Sequence, residues 1–109
     1  MIETRITKLL GIKYPILQGA MNYVSRAPLA AAVSNAGGLG ILCLMSLAPE
    51  EARKSIREVK SLTDKPFGVN IVRVSPHYRA YVKIILEEKV PVLSHGIGDP
   101  FLALGIRKP

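Results

Sequence analysis

Tryptophan is absent from this 109-residue chain, cysteine occurs once and aromatic side chains make up only 6%. The lone Cys43 excludes an internal disulfide and fits a reducing compartment. So few aromatics leave no stacking platform for single-stranded nucleic acid. No apolar run approaches the roughly 20 residues that a membrane-spanning helix needs. The opening Met1-Ile2-Glu3-Thr4-Arg5 lacks the charged-then-apolar layout of a secretory leader, so a cytoplasmic location is expected. Acidic residues are scarce too, 8 against 15 basic ones, which gives a net charge of +7. The basic residues are spread from Arg5 to Lys108, however. The densest group, Arg53, Lys54, Arg57 and Lys60, interleaves with Glu50, Glu51 and Glu58 as a solvated helix face does. Solubility accounts for the charge better than a nucleic-acid or membrane partner.

What the chain does have is 49% hydrophobic residues, regularly punctuated by 9 glycines and 8 prolines. That excludes disordered and collagen-like classes and suits a single domain with a real core. Pro15–Ala20 is a short apolar run between turn signals, the pattern of a buried strand. Ser25 is placed to cap a small-residue helix running from Pro28 to Ala36 and stopped by Gly37. Its alanines allow close approach to a sheet. Leu39–Cys43 reads as a second strand and Pro66–Val72 as a third, with Val90–Ser94 as a fourth. Between them, Pro49 opens a helix to Leu62 with Ala52, Ile56, Val59 and Leu62 on one stripe. Ser75-Pro76 starts another, whose Tyr78, Tyr81, Val82, Ile85 and Leu86 share a face. A short helix is expected from Phe101.

Strands and helices therefore alternate, with strand starts recurring about every 24 residues. Strands apolar on both faces imply an α/β fold with a parallel sheet covered by helices. An open doubly wound sheet and a (β/α)8 barrel share this grammar, and in both the ligand sits beyond the carboxyl ends of the strands. Gly37, Gly38 and Gly40 precede a strand, whereas a dinucleotide-binding fingerprint follows one, and no Walker pattern occurs. They read as helix-stop and packing glycines.

Several ordered motifs carry a family resemblance. Thr4-Arg5-Ile6-Thr7, Tyr14–Met21, Leu29–Ile41, Lys65–Ile71 and Pro91–Pro100 together resemble the N-terminal part of the nitronate monooxygenase (2-nitropropane dioxygenase) family. The same stretch is similar to the related enoyl-acyl-carrier-protein reductase II flavoenzymes. The resemblance implies an FMN-binding TIM (β/α)8 barrel, of which residues 1–109 form a partial domain of about four βα units, ending after the fourth strand. It implies an oxidoreductase that oxidises alkyl nitronates with O2 through a reduced flavin. The alternative reaction is NAD(P)H-dependent reduction of an enoyl thioester. It further implies that Gly19, Ala20 and Met21 run along the isoalloxazine of FMN, and that the Asn70 amide hydrogen-bonds its polar edge.

Each assignment has a structural alternative. Gly19 and Ala20 can form a plain turn, Met21 a core plug and Asn70 a cap. Ser94 and His95 are candidates for the active-site mouth, His95 equally as structural filling, and Cys43 is expected to be an inert core thiol. No metal site is expected. The family's catalytic histidine and its glycine-rich phosphate loops belong to later parts of the barrel than these residues. The chain alone is therefore expected to be an inactive fragment. A half-barrel without activity of its own, associating through exposed sheet edges, is the reading from another class.

Overall fold

The computed structural model describes residues 2–99. The element order is α1 (Arg5–Leu10), α2 (Ala27–Asn35), β1 (Gly40–Cys43), α3 (Pro49–Leu62), β2 (Phe67–Val72), α4 (Tyr78–Glu87) and β3 (Val92–Gly96). The three strands form one parallel sheet in the order β1-β2-β3, with Gly40 opposite Phe67 and Gly68 opposite Val92.

Alternation along the strands separates two faces. Leu42 and Leu44, with Phe67, Val69 and Ile71, pack against Ala27, Ala30 and Ala31 of α2, Ala52, Ile56 and Val59 of α3, and Tyr78, Tyr81, Ile84 and Ile85 of α4. All three helices lie over that one face, in the same sequence as the strands. Such winding curls a sheet toward a barrel, whereas a doubly wound sheet reverses direction and covers both faces. The opposite, inner face carries Leu39 and Ile41, which cluster with Ile12, Leu10, Ala20 and Val92. By the same alternation Gly68, Asn70 and Ser94 lie on it as well.

Helix α3 has the expected bounds. Pro49 sits in its first turn, and the Glu51 carboxylate accepts from the Ala48 N–H at 3.2 Å. Its stripe is shorter than expected, because Leu62 is exposed while Ala52, Ile56 and Val59 are fully buried. The basic residues of α3 are not a simple solvated face either. Arg53 and Arg57 both reach Glu88 at the end of α4, Arg53 also holds Glu87 at 2.6 Å, and Lys60 donates to the Glu88 carbonyl. In α4 Ile84 joins Tyr78, Tyr81 and Ile85 as a buried side chain, and Leu86 faces solvent.

Three further expectations are corrected. Residues 15–20 are not a buried strand: only Leu17 bridges Leu39, and Ile16 and Leu17 are largely exposed. Strand β3 begins two residues later than expected, because the Val90 N–H is still donating to the Ile85 carbonyl as α4 ends. A six-residue helix, α1, stands where none was read. Thr4 and Thr7 cap it reciprocally, the Thr7 N–H donating to Thr4 Oγ1 at 3.1 Å and the Thr4 N–H to Thr7 Oγ1 at 2.8 Å. The helix expected from Phe101 lies outside the described residues. Among the described residues no helix is long and apolar enough to cross a membrane.

Candidate functional site

The carboxyl ends of the strands converge with the segment 18–25, and this end of the sheet brings most of the candidate residues together. After the Leu17 bridge the chain turns away from β1. The Met21 carbonyl accepts from the N–H groups of Val24 and Ser25, closing a turn in which Tyr23 adopts a left-handed φ of 66°. Ser25 does not cap α2, whose N-cap is Arg26 with no side-chain bond. It is instead fully buried, and its Oγ accepts from the Met21 N–H at 2.8 Å and from Gln18 Nε2 at 3.0 Å. A buried hydroxyl finds better use satisfying an orphan loop amide than a helix end that water can reach. Arg26 turns its guanidinium across to the Cys43 carbonyl at 2.6 Å.

From this turn a continuous line of contacts crosses the sheet. The Cys43 N–H donates to the Ser25 carbonyl at 2.9 Å, Cys43 lies opposite Asn70, and Asn70 lies opposite Ser94. Asn70 Nδ2 donates to Ser94 Oγ at 3.0 Å and lies 3.3 Å from the Ser94 carbonyl. Cys43 is buried and unpaired as a thiol. Gly19, Ala20, Met21, Asn70 and Ser94 are thus tied to one end of one sheet.

His95 belongs to a different environment. It faces the helices, where its Nε2 is 2.8 Å from the Tyr78 hydroxyl and its ring meets the Tyr78 ring edge-on. Arg73 lies over the Tyr78 ring, 4.8 Å from its centroid. Tyr78 is buried while Arg73 is exposed and His95 half-buried, so His95 is engaged by a buried phenol on the helix side and does not open onto the inner face.

The loop leaves room and unfilled polar capacity for a bound group. A Cβ built on Gly19 meets no atom within 4 Å, so open space lies against the main chain there. Met21 is 46% exposed, so it plugs no core among the described residues. Asn22 donates to Ser46 at 3.2 Å, yet its buried Oδ1 has no partner among the described residues. An orphaned buried acceptor beside a loop with open space is what a bound group with N–H donors would complete. Beside this end, Met45, Leu47, Val72, Val74, His77 and Tyr81 line a cleft of about 560 Å³. Burial pushes the Tyr81 phenol above its ordinary pKa, and its hydroxyl sits 2.9 Å from the Leu44 carbonyl and 2.5 Å from that of Leu47. It therefore ties the loop after β1 to α4.

Gln18 and Ser25 are the two residues whose roles here the sequence did not suggest. An amide at the last strand position before a Gly-Ala step was the available signal.

One-sided helices over a sequentially ordered parallel sheet, with polar residues at its carboxyl end, are the arrangement of part of a (β/α)8 barrel. The chain belongs to the nitronate monooxygenase family, whose sequence model matches residues 3–88. It is 58% identical over 67 residues to a nitronate monooxygenase of Pseudomonas aeruginosa, covering 62% of this chain and 19% of that protein. It is 40% identical over 96 residues to an octahydro-1H-indene-4-carboxyl-CoA dehydrogenase of Mycobacterium tuberculosis, covering 88% of this chain and 27% of that one. Among solved structures, FabK from Thermotoga maritima superposes with a TM-score of 0.92 at 49% identity, over 95% of this chain and 33% of that chain. The chain therefore spans about a fifth to a third of the length of these relatives.

Proposed function

We propose that this chain forms the flavin-facing first section of an FMN-dependent oxidoreductase barrel of the nitronate monooxygenase type, acting on alkyl nitronates. The observation that carries this reading is the line from the Met21 amide through Ser25 and Cys43 to Asn70 and Ser94. It ties a loop with open space against Gly19 to an amide side chain at the same end of the sheet. Gly19, Ala20 and Met21 lie along the ring, because a main chain without bulky Cβ atoms can approach a flat surface. Asn70 offers a donor and an acceptor to the ring's polar edge without fixing a charge on it. FMN, when bound, supplies the two-electron chemistry that no side chain here possesses. The residues of this chain bind and orient, and the proton-handling groups come from the rest of the barrel.

A second reaction is favoured by one specific observation. FabK superposes with a TM-score of 0.92 at 49% identity, whereas a nitroalkane oxidase from Streptomyces ansochromogenes superposes over a similar share of this chain with a TM-score of 0.80 at 27% identity. On that reading the substrate is an enoyl thioester and the electrons come from NAD(P)H. Anaerobic mixing of a full-length barrel carrying these residues with a nitronate, or with NADH, separates the two: bleaching of the flavin band by the nitronate alone is the outcome expected here.

The chain alone supplies the ring-facing contacts and not the phosphate loops. Titration by fluorescence quenching is expected to show weak binding, with FMN and riboflavin equivalent. No quenching by either compound sinks the flavin reading. Tight, stoichiometric FMN binding that riboflavin cannot match would place the phosphate site within these residues. The non-catalytic alternative, a section that associates through exposed edges, predicts a dimer in size-exclusion chromatography and no flavin binding.

A further inference from the structure

The ladder between residues 16–18 and β1 begins as an ordinary parallel pairing. The Leu39 N–H donates to the Ile16 carbonyl at 2.9 Å, and the Gln18 N–H donates to the Leu39 carbonyl at 3.0 Å. The next rung of such a pairing would join the Ile41 N–H to the Gln18 main-chain carbonyl, and the Ala20 N–H to the Ile41 carbonyl. The Gln18 side chain occupies both places. Its Oε1 accepts from the Ile41 N–H at 3.2 Å, and its Nε2 donates to the Ile41 carbonyl at 3.1 Å. One amide thus replaces two main-chain groups, and β1 keeps its hydrogen bonds while the chain departs.

The same Nε2 also reaches the Gly19 carbonyl at 2.6 Å and Ser25 Oγ at 3.0 Å, and Ser25 in turn holds the Met21 N–H. The path of the loop is therefore fixed at both ends by side chains. Its own Gly19 and Ala20 N–H groups donate to no group among the described residues. These are polar groups left available beside open space, on a loop already ordered by its neighbours.

We propose that Gln18 and Ser25 are positioning residues: the Gln18 amide stands in for the continuing strand, Ser25 latches Met21, and together they present the Gly19 and Ala20 N–H groups as preformed donors to a ligand. That the ligand is a flavin rests on the reading above. Preorganisation means that the ordering entropy is met by the fold and not at binding.

The test combines amide hydrogen exchange on the 109-residue chain with riboflavin titration, for Gln18→Met, Gln18→Glu and Ser25→Ala. Gln18→Met fills the same space with neither donor nor acceptor. It is expected to lower protection at the Ile41 amide about tenfold or more while Val69 and Ile71 keep theirs, and to weaken riboflavin about tenfold. Gln18→Glu keeps the acceptor for Ile41 but sets a carboxylate against two carbonyls, and is expected to weaken riboflavin at least as much. Ser25→Ala is expected to release the Met21 amide selectively, with a similar loss of affinity. Unchanged Ile41 protection in Gln18→Met, or lost protection with unchanged affinity, overturns the proposal. A purely space-filling Gln18 would tolerate methionine in both measurements. Absence of riboflavin binding by the unmodified chain overturns the flavin reading instead, and the exchange results then judge the loop's organisation by themselves.

Discussion

A Cβ on Gly40 would stand 1.8 Å from the carbonyl oxygen of Ala30. Helix α2 is that close to β1 at this point, and the Gly40 N–H also donates to the buried Ser34 Oγ at 2.9 Å. The contact is main chain against main chain, so no rotamer change can relieve it. Gly40→Ala must push α2 off the sheet, and a loss of about 3 kcal/mol or more is expected. Urea unfolding of the two chains measures it. A loss below about 1 kcal/mol would mean that α2 can slide without penalty.

Tyr81 provides a second anchor. Its hydroxyl serves the Leu44 and Leu47 carbonyls, and the side chain is 1% exposed. Tyr81→Phe leaves the ring in place and the carbonyls unpaired, at a cost of about 1–2 kcal/mol. Burial raises the phenol's pKa, so the folded state holds this proton more tightly than the unfolded chain does. The associated stability is present below the ordinary tyrosine pKa of about 10 and is lost as pH rises through the raised value. Thermal melts between pH 8 and 11 are expected to fall less steeply for Tyr81→Phe than for the unmodified chain.

Glu88 gathers Arg53, Arg57 and Lys60 from α3 and locks the two helices together. The Arg57 guanidinium first, and Arg53 with it, hold the Glu88 carboxyl below its usual range, and Arg53 does the same for Glu87. A lowered folded pKa means stability that is present above the ordinary value near 4.5 and lost as pH falls through the lowered one. Glu88→Gln is expected to lower the Tm by about 2–5 °C at pH 7 and low salt, and to flatten its decline toward pH 3. Equal melting curves at all pH values would show the network to be idle.

Helix α3 was legible in the sequence because its signals are local: Pro49, two early acids and apolar residues at helical spacing. The parallel sheet was legible for the same reason, through apolar runs at βα intervals. What was not legible depends on partners. Ile16 and Leu17 look like a buried strand, but burial is decided by what packs on them, and in this chain they meet solvent. The pairing that a strand at 18–20 would have made is taken by one side chain, which no periodicity records. The Thr4–Thr7 box escapes because a six-residue helix is too short for an apolar stripe. At the site, the end of β2 was correctly located for Asn70, whereas the placement of Ser94 and His95 on opposite faces turned on a strand that runs to Gly96 instead of ending at Ser94, so that both residues alternate within it.

That parity has a consequence at Asn70. Ser94 engages the Nδ2 side of the Asn70 amide, through its Oγ and its carbonyl, and so fixes the rotation of the amide plane. Asn70→Ala removes the whole amide and is expected to weaken riboflavin about tenfold. Asn70→Asp is isosteric but replaces the donor with a carboxylate oxygen against the Ser94 carbonyl, so the side chain must rotate and a charge enters the site. It is expected to weaken riboflavin at least as much as alanine does. Ser94→Ala removes one of two contacts and leaves the carbonyl, so a smaller loss, about threefold, is expected. The ordering Asp ≥ Ala > Ser94→Ala is the diagnostic result. If Asn70 only caps the end of β2, all three substitutions lower stability and leave riboflavin affinity where it was. If His95 were the ligand-facing residue, His95→Phe would change affinity and Asn70→Ala would not. The contact of His95 with Tyr78, on the helix side of the sheet, predicts the reverse.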